Sequence, residues 1–201
     1  MYTEDNNGYF EEGYGGGVKD NQWWVNVVQP YCGTEEDDIR CCPMATKRDG
    51  NTRGTTFTVW EDFGWLECYG RGSYGVNGWV ENMQEDYDWM DPSKRWRTAN
   101  VKGASEVPLL LDCNWIDGWS RVFDTPPEYI DAPPAAYEGD YMQRFCINRH
   151  DGYINAVFMD FSHVRKVSLK CLWKLKWHRG YDLSADPPEW PDWMKKFKEC
   201  E

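Results

Sequence analysis

The stretch CINRHDGYINAVFMDFSHVRKV, residues 146–167, has the pattern of a β-hairpin. Asp151 and Gly152 form a dipeptide that is typical of tight turns between antiparallel strands. The residues around this turn predict one strand over 141–150 and a second over 153–161. The stretch therefore indicates an antiparallel sheet, and the rest of the chain is interpreted outward from it.

The flanking segments predict an α+β fold in a single domain, 1–201. Apolar spacing predicts a helix from Trp23 to Val28 that ends at Pro30, and the apolar run Val107 to Leu111 predicts a buried strand. We expect an antiparallel sheet, short helices and long irregular loops joined by disulfides. The other predicted parts are an extended N-terminal segment (1–22), a strand at 55–60, a continuation of the sheet at 163–167, a helix starting at Ser168, a short helix with Pro191 in its first turn, and a C-terminal tail (184–201).

The formal charge of −12, from 22 basic and 34 acidic side chains, limits the classes of partner. Binding to nucleic acid relies on basic side chains that displace counterions from phosphates. Anionic membrane surfaces attract basic segments for a related reason. The sequence therefore predicts no nucleic-acid partner and no membrane partner in this form, and it suits a solvated surface or a cation site.

Eight cysteines without Cys-x-x-Cys pairs favour disulfides over a zinc ribbon, and hence an extracellular or cell-surface location. Cys171 and Cys200 are the first predicted pair, because a bridge between them would hold the C-terminal tail. Cys113 and Cys146 are the second, since they lie on strands that we expect to be neighbours. The remaining cysteines are the vicinal Cys41 and Cys42, with Cys32 and Cys68 as their candidate partners.

Acidic clusters make calcium a candidate cofactor, and no other cofactor is expected. Ca²⁺ takes six to eight oxygen ligands, which carboxylates and carbonyls supply. No EF-hand spacing is present, and a run of charges is more often a solvated surface. The candidate ligands are Glu35, Glu36, Asp37 and Asp38 in one loop, and Asp86, Asp88 and Asp91 in another.

His150, Asn155 and Asp160 lie along the predicted hairpin and allow two interpretations. In the structural one, His150 and Asn155 bond backbone groups near the turn, and Asp160 caps the next turn. In the functional one, His150 and Asp160 are metal ligands or an acid and base pair. Zinc takes three or four protein ligands and the chain has only three histidines, so the structural interpretation is favoured.

Aromatic residues are abundant, with 13 tryptophans and 12 tyrosines. Such side chains supply core area, and they also form protein interfaces and sugar-binding platforms. Trp173 and Trp177 lie four residues apart in the helix predicted after Ser168. This spacing is typical of a core-facing helix, although it also fits one face of a platform.

Five segments carry a resemblance that covers most of the chain. They are RCCPMA (40–45), GSYGVNGW (72–79), VPLLLDCNW (107–115), NRHDGYINAVFMDFSHVRKVSLKCLWKLKWHR (148–179) and PEWPDWMKKFKE (188–199). Nine residues separate His150 from Asp160, as in the signature of histidine, nine residues and aspartate-glycine in prepilin-type processing-associated proteins. The chain thus resembles this family of bacterial pilin and pseudopilin relatives.

The resemblance implies a pilin-like globular domain with no catalytic site. It implies a structural subunit that assembles with copies of itself into an extracellular or cell-envelope filament. Family members begin with a cleaved leader and a long apolar helix, and MYTEDNNGYF (1–10) resembles the segment directly after that helix. We expect residues 1–20 at an interface between subunits, because this polar, glycine-rich stretch has little apolar area to hold it on its own domain. Phe161 stands where the family often has glycine, so the turn after Asp160 is expected to differ.

Two other functions stay open beside the filament subunit. A secreted, aromatic-rich carbohydrate-binding module would explain the tryptophan content. A secreted hydrolase would need a pair of carboxylates, but 34 acidic residues make some pair inevitable and therefore uninformative.

Overall fold

A five-stranded sheet organises the protein in a computed structural model, which describes residues 2–13, 23–32, 40–62, 70–83, 90–131 and 139–200. Numbered along the chain, the strands are β1 (Trp60–Glu61), β2 (Arg71–Gly72), β3 (Tyr74–Asn77), β4 (Pro108–Asp112), β5 (Asp117–Gly118), β6 (Tyr153–Phe158) and β7 (Arg165–Ser168). The sheet has the order β5-β3-β4-β6-β7, in which β3 and β5 are parallel and the other neighbours antiparallel. β1 and β2 form a separate antiparallel ribbon.

Short helices connect and flank the strands. They are α1 (Tyr2–Asp5), α2 (Trp24–Val27), α3 (Gln29–Cys32) and α4 (Asp192–Lys195), with 3₁₀ helices at Gly78–Val80, Pro92–Lys94, Ala104–Glu106, Tyr141–Arg144 and Leu169–Lys174. Together with the sheet they confirm the predicted α+β class. Over the ranges that the structure describes, none of these helices has the length and apolar character that a membrane crossing requires.

The predicted turn at Asp151 and Gly152 is confirmed. Both residues have positive φ, 51° and 84°, which is the conformation that makes Asp-Gly favourable in tight turns. The His150 N–H donates to the Tyr153 carbonyl oxygen at 3.2 Å and closes the turn. β6 begins directly after it, with alternate side chains buried, as a strand packed on one face requires.

The strand predicted over 141–150 is wrong, because the chain before the turn forms the 3₁₀ helix Tyr141–Arg144. The buried carboxylate of Asp124 accepts a hydrogen bond from the Met142 N–H at 3.0 Å, and the Asp140 carbonyl accepts one from Gln143. These bonds use backbone groups that a strand would present to a neighbour.

Two helix boundaries also differ from the predictions. Pro30 does not end a helix but is the second residue of α3, where its missing N–H costs no helical hydrogen bond. Ser168 does not cap a helix, since its hydroxyl donates to the Lys198 carbonyl oxygen at 2.9 Å and Leu169–Lys174 is 3₁₀. The helix predicted beside Pro191 is confirmed as α4.

A strand is predicted over 55–60, but only the last of these residues, Trp60, lies in a strand, β1. Thr58 makes a single bridge to Lys47. The hydroxyl of Thr58 accepts from the Thr55 N–H at 2.9 Å, so side-chain bonding competes with a strand ladder here.

The C-terminal tail is tied to the domain as predicted. A disulfide joins Cys171, in the 3₁₀ helix Leu169–Lys174, to Cys200. An ion pair between the adjacent residues Lys170 and Glu199 joins the same two segments. A covalent bond and an ionic contact thus hold the segment that contains α4.

The predicted Cys113–Cys146 bridge is wrong, since both thiols are buried and unbonded. Cys113 Sγ accepts a hydrogen bond from the Trp115 N–H at 3.4 Å, whereas Cys146 Sγ lies 3.8 Å from Met194 Sδ. The two sulfurs therefore contact different parts of the core.

The partners predicted for the vicinal cysteines are not confirmed. Cys32 is unbonded and donates to the Val28 carbonyl oxygen at 3.3 Å within its own helical region. Cys42 is also unbonded, Cys41 is buried, and Cys68 lies outside the described residues. Hydrogen bonds, and not a disulfide, hold the chain at Cys42.

The start of the chain packs on its own domain over residues 2–13, and the expected interface at residues 1–20 stays a prediction. Phe10 is 5% exposed and belongs to the core. Its N–H donates to the Arg97 carbonyl oxygen at 3.0 Å, and Tyr9 forms a bridge with Thr98. Residues 14–22 lie outside the described part of the chain.

Tryptophan N–H groups satisfy backbone carbonyls in the irregular segments. Irregular backbone makes few ladder hydrogen bonds, so its buried carbonyls need other donors. Indole N–H groups meet this need in much of the described core, at donor–acceptor distances of 2.7–2.9 Å, and the tryptophans concerned are Trp24, Trp60, Trp79, Trp96, Trp173, Trp177 and Trp193.

Glu11 and Glu81 are acids buried close to each other. Glu11 is 5% exposed and its Oε1 has no hydrogen-bond partner. Burial raises the pKa of Glu11 from 4.5 to about 7. Burial, with smaller contributions from the charges of Asp117 and Glu11, also raises the pKa of Glu81. The folded protein therefore favours the neutral form of both acids.

Glu11→Gln should raise the free energy of unfolding at pH 8, by about 3 kcal/mol from the shift to about 7, and leave it nearly unchanged at pH 4. The folded-state pKa lies above the unfolded value, so the contribution of the protonated acid is complete below about 4.5 and is lost as pH rises through about 7. Urea unfolding at both pH values measures this difference. Glu12→Gln, at the exposed neighbouring position, is the control, and an equal gain in both variants contradicts the prediction.

Candidate functional site

Three side chains meet at His150, just before β6. Its Nε2 lies 3.1 Å from Asp112 Oδ2 at the end of β4, 3.1 Å from Asn155 Nδ2 in β6, and 3.5 Å from Cys42 Sγ. The His150 side chain is 20% exposed and that of Asp112 is fully buried. These four side chains form a partly exposed cluster over a buried carboxylate, which we call the His150 pocket.

The sheet register explains why Asp112 reaches His150. β4 lies between β3 and β6, with Asp112 opposite Tyr74 on one side and Leu111 opposite Ala156 on the other. The Asn155 N–H donates to Asp112 Oδ2 at 2.7 Å. This bond holds the carboxylate beside the turn that carries His150.

Arg149 neutralises Asp112 from the opposite side. Its Nη1 lies 2.9 Å from Asp112 Oδ1, and both side chains are fully buried. The same guanidinium donates to the carbonyl oxygens of Thr56 (2.8 Å), Ser73 and Cys113 (3.3 Å). Burial of such a pair is favourable only when its remaining hydrogen-bonding groups are satisfied, and this guanidinium meets that condition.

Cys42 is held against the sheet by two residues of the segment 73–74. Its N–H donates to Ser73 Oγ at 2.6 Å, and its thiol is hydrogen-bonded to the Tyr74 hydroxyl. Burial, with a smaller contribution from the Asp112 charge, raises the pKa of the Cys42 thiol, and burial likewise raises that of Tyr74. Both groups are therefore neutral at neutral pH.

A catalytic relay is not supported by this geometry. A nucleophile, histidine and acid relay uses both ring nitrogens, one toward the nucleophile and the other toward the acid. Here the Cys42 and Asp112 contacts converge on the same nitrogen, His150 Nε2. The raised thiol pKa further disfavours a thiolate nucleophile.

His150 and Asp160 do not form a pair, because the whole of β6 lies between them. Asp160 Oδ1 accepts from the Ser162 N–H (3.3 Å) and hydroxyl (3.1 Å), so it caps the next turn as predicted. Phe161 has φ of 53°, in the left-handed region that favours glycine. His150 and Asn155 bond side chains, and the prediction that these side chains bond backbone groups is not confirmed.

The remaining predicted site residues are structural or lie outside the described ranges. Trp173 is 3% exposed and Trp177 is 0% exposed, so both belong to the core. Asp91 Oδ1 accepts from the Ser93 N–H and hydroxyl and caps the 3₁₀ helix Pro92–Lys94. The calcium candidates outside the described residues are Glu35, Glu36, Asp37, Asp38, Asp86 and Asp88.

Sequence reasoning missed four residues of this cluster: Cys42 as a neighbour of His150, Tyr74, Asp112 and Arg149. A signal was present, because each of them lies in one of the short segments that carry the family resemblance. Those segments are distant in the chain, and Cys42 and His150 have a sequence separation of 108. Their shared feature is that they meet at this pocket.

Arg149→Ala should lower the free energy of unfolding by about 3–5 kcal/mol, because it leaves a buried carboxylate without its cation. His150→Ala should cost less, about 1–3 kcal/mol, because it removes partly exposed hydrogen bonds. Denaturant unfolding of both variants measures the order of the two effects. Lys195→Ala, which removes an exposed pair with Asp192, is the control and should leave the transition unchanged. A smaller loss for Arg149→Ala than for His150→Ala contradicts the role assigned to the buried pair.

Comparison with family models, with curated proteins and with solved structures finds no match to this chain.

Proposed function

We propose that the protein is a structural subunit of an extracellular or cell-surface filament, built from copies of this chain and without enzymatic activity. The observation that carries the proposal is an apolar groove, about 360 Å³ in volume, between the N-terminal helices and the sheet. Its occupant is a second copy of the chain. The groove is lined by residues of α1, α2, α3 and the strands β3 and β4, together with Phe10, Glu11, Val28 and Phe161.

The rim of the groove exposes aromatic side chains. Tyr31 is 46% exposed and Phe161 is 39% exposed. Exposed aromatic anchors beside an apolar pocket are typical of protein interfaces. Contact with another subunit would remove this surface from water.

The backbone at Phe161 supports the same proposal. A residue with a β-carbon in the left-handed region costs about 1–2 kcal/mol relative to ordinary conformations. Strain of this kind persists where the surrounding structure or the function requires it. Phe161 has positive φ, and its exposed ring lines the groove. A contact between subunits through this ring would explain why a phenylalanine is kept in a strained conformation.

The charge distribution favours head-to-tail contacts over a symmetric dimer. Residues 1–91 carry 18 acidic and 6 basic side chains, whereas residues 163–201 carry 6 acidic and 9 basic ones. An acidic region on one copy and a basic region on the next are complementary when they belong to different surfaces. Such heterologous contacts propagate as a filament unless the rotation closes a ring.

Glu11 supplies a specific place for a basic side chain of the neighbouring copy. It lines the groove, and its buried Oε1 has no hydrogen-bond partner. Lys and Arg have apolar stems that pack in such a groove, and the approach of their charged end would favour the ionised form of the Glu11 side chain. The basic segment 163–179 of the next copy is the proposed source.

Phe161→Asn should abolish polymers and leave the fold intact, because asparagine tolerates positive φ while lacking the aromatic contact. Sedimentation velocity and electron microscopy of concentrated protein measure assembly, and near-ultraviolet circular dichroism measures the fold. The matched control is Phe123→Asn, at a ring that is 68% exposed and does not line the groove. Monomeric wild-type protein at high concentration, or equal assembly of the two variants, contradicts the proposal.

A carbohydrate-binding module is the second candidate, because of another surface feature. A cleft of about 590 Å³ is lined by Tyr129, Trp190 and Trp193, with carboxylates of Glu128 and Asp192 nearby. Aromatic rings and acceptor groups together are the components of a sugar platform. The core positions of Trp173 and Trp177 exclude those two residues from such a role.

Soluble oligosaccharides should leave the tryptophan fluorescence unchanged if the filament proposal is correct. Saturable quenching that is lost in Trp190→Ala would favour the carbohydrate-binding module instead. Trp24→Phe, at a buried tryptophan that does not line this cleft, controls for a general change in fluorescence.

A further inference from the structure

Three donor atoms of different chemistry converge at the His150 pocket. They are Cys42 Sγ, Asp112 Oδ2 and His150 Nε2, and one donor atom from each residue lies within 4.8 Å of the other two. The thiol and the carboxylate belong to buried residues, and the imidazole is partly open to solvent. Sulfur, nitrogen and oxygen donors together are a ligand set that zinc accepts.

The distances between donors fit a tetrahedral zinc ion. Zinc bonds of about 2.3 Å to sulfur and 2.0–2.1 Å to nitrogen or oxygen, at tetrahedral angles, place sulfur about 3.5 Å and oxygen about 3.3 Å from the nitrogen. The observed separations are 3.5 Å for Cys42 Sγ and 3.1 Å for Asp112 Oδ2, each measured from His150 Nε2. The two distances from the imidazole therefore match those of a zinc site, and the donors of all three residues lie within 4.8 Å of one another.

The carboxylate is already oriented by its neighbours. Asp112 Oδ1 accepts from Arg149, and Oδ2 accepts from the Asn155 N–H. Oδ2 also lies 3.1 Å from His150 Nε2, so the carboxylate is held on the side where His150 and Cys42 meet. Supporting hydrogen bonds of this kind orient metal ligands in proteins.

The charges of the pocket favour a divalent cation. When zinc binds, the Cys42 thiol loses its proton, so the thiolate and the Asp112 carboxylate then carry two negative charges, of which Arg149 offsets one. Calcium and magnesium prefer sites made of oxygen alone, whereas a thiolate and an imidazole favour zinc. Three protein ligands leave a fourth position for water or another small ligand.

We propose that Cys42, Asp112 and His150 form a zinc site that joins the segment RCCPMA to β4 and to the turn before β6. This inference is independent of the filament proposal, since Phe161 and the groove lie at the other end of β6. Zinc replaces the weak contact between the Cys42 thiol and His150 with coordinate bonds. The site thereby fixes a segment of the described chain that contains no regular strand.

The test is binding of zinc alone, and of cobalt as its spectroscopic substitute, to the full chain with the Cys171–Cys200 disulfide intact. Calorimetry should give one zinc ion per chain, and cobalt should give the charge-transfer absorption of a thiolate ligand. Cys42→Ser should abolish that absorption and weaken zinc binding by at least about 100-fold, since loss of a ligand costs more than loss of a supporting hydrogen bond. His150→Asn should weaken binding similarly while keeping a polar side chain.

Matched controls come from the same residue types. Cys32→Ser changes another unbonded thiol, and His163→Asn changes an exposed histidine beyond β6, so both should bind zinc like the wild type. Circular dichroism of each variant in the absence of metal separates loss of a ligand from loss of the fold. Three results overturn the proposal: no stoichiometric zinc binding, an effect of Cys32→Ser equal to that of Cys42→Ser, or a Cys42 found in a disulfide by mass spectrometry.

Discussion

The buried ion pair of Arg149 and Asp112 is the constraint on which much of this structure depends. Two charges taken out of water are costly unless their hydrogen-bonding groups are satisfied. The guanidinium meets this condition by donating to carbonyl oxygens of Thr56, Ser73 and Cys113 as well as to Asp112. Segments without regular secondary structure are thereby fixed against β4, and a shift in their positions would leave N–H groups of a buried guanidinium without acceptors.

The His150 pocket depends on this pair. Arg149 occupies one oxygen of Asp112, so the other is left for the Asn155 N–H and for His150. The segment that contains Cys42 is attached to Ser73, because the Cys42 N–H donates to the Ser73 hydroxyl oxygen. The carbonyl oxygen of Ser73 in turn accepts a hydrogen bond from Arg149. One guanidinium therefore positions, directly or through one neighbour, the groups proposed to bind zinc.

The two proposals use opposite ends of β6. The His150 pocket precedes the strand, while Phe161 and the apolar groove lie beyond its end. Tryptophan N–H groups and the Cys171–Cys200 disulfide hold the irregular chain around the sheet in a defined arrangement. Such an arrangement would suit the proposed filament subunit, because a domain that is already ordered loses little conformational entropy on assembly.

Local physics in the sequence determined the turn at Asp151 and Gly152, the strands β4 and β6, the helix α4, the capping role of Asp160 and the α+β class. Each results from interactions between residues close in the chain, namely turn conformation, alternation of apolar residues and side-chain capping. The Cys171–Cys200 bridge was also predictable, because a disulfide between two C-terminal segments restrains the end of the chain. Only the tertiary structure decided that Cys42 and Asp112 meet His150, or that 141–144 is a 3₁₀ helix instead of a strand. These outcomes depend on strand order and on buried carboxylates supplied by distant segments, and no local pattern carries that information.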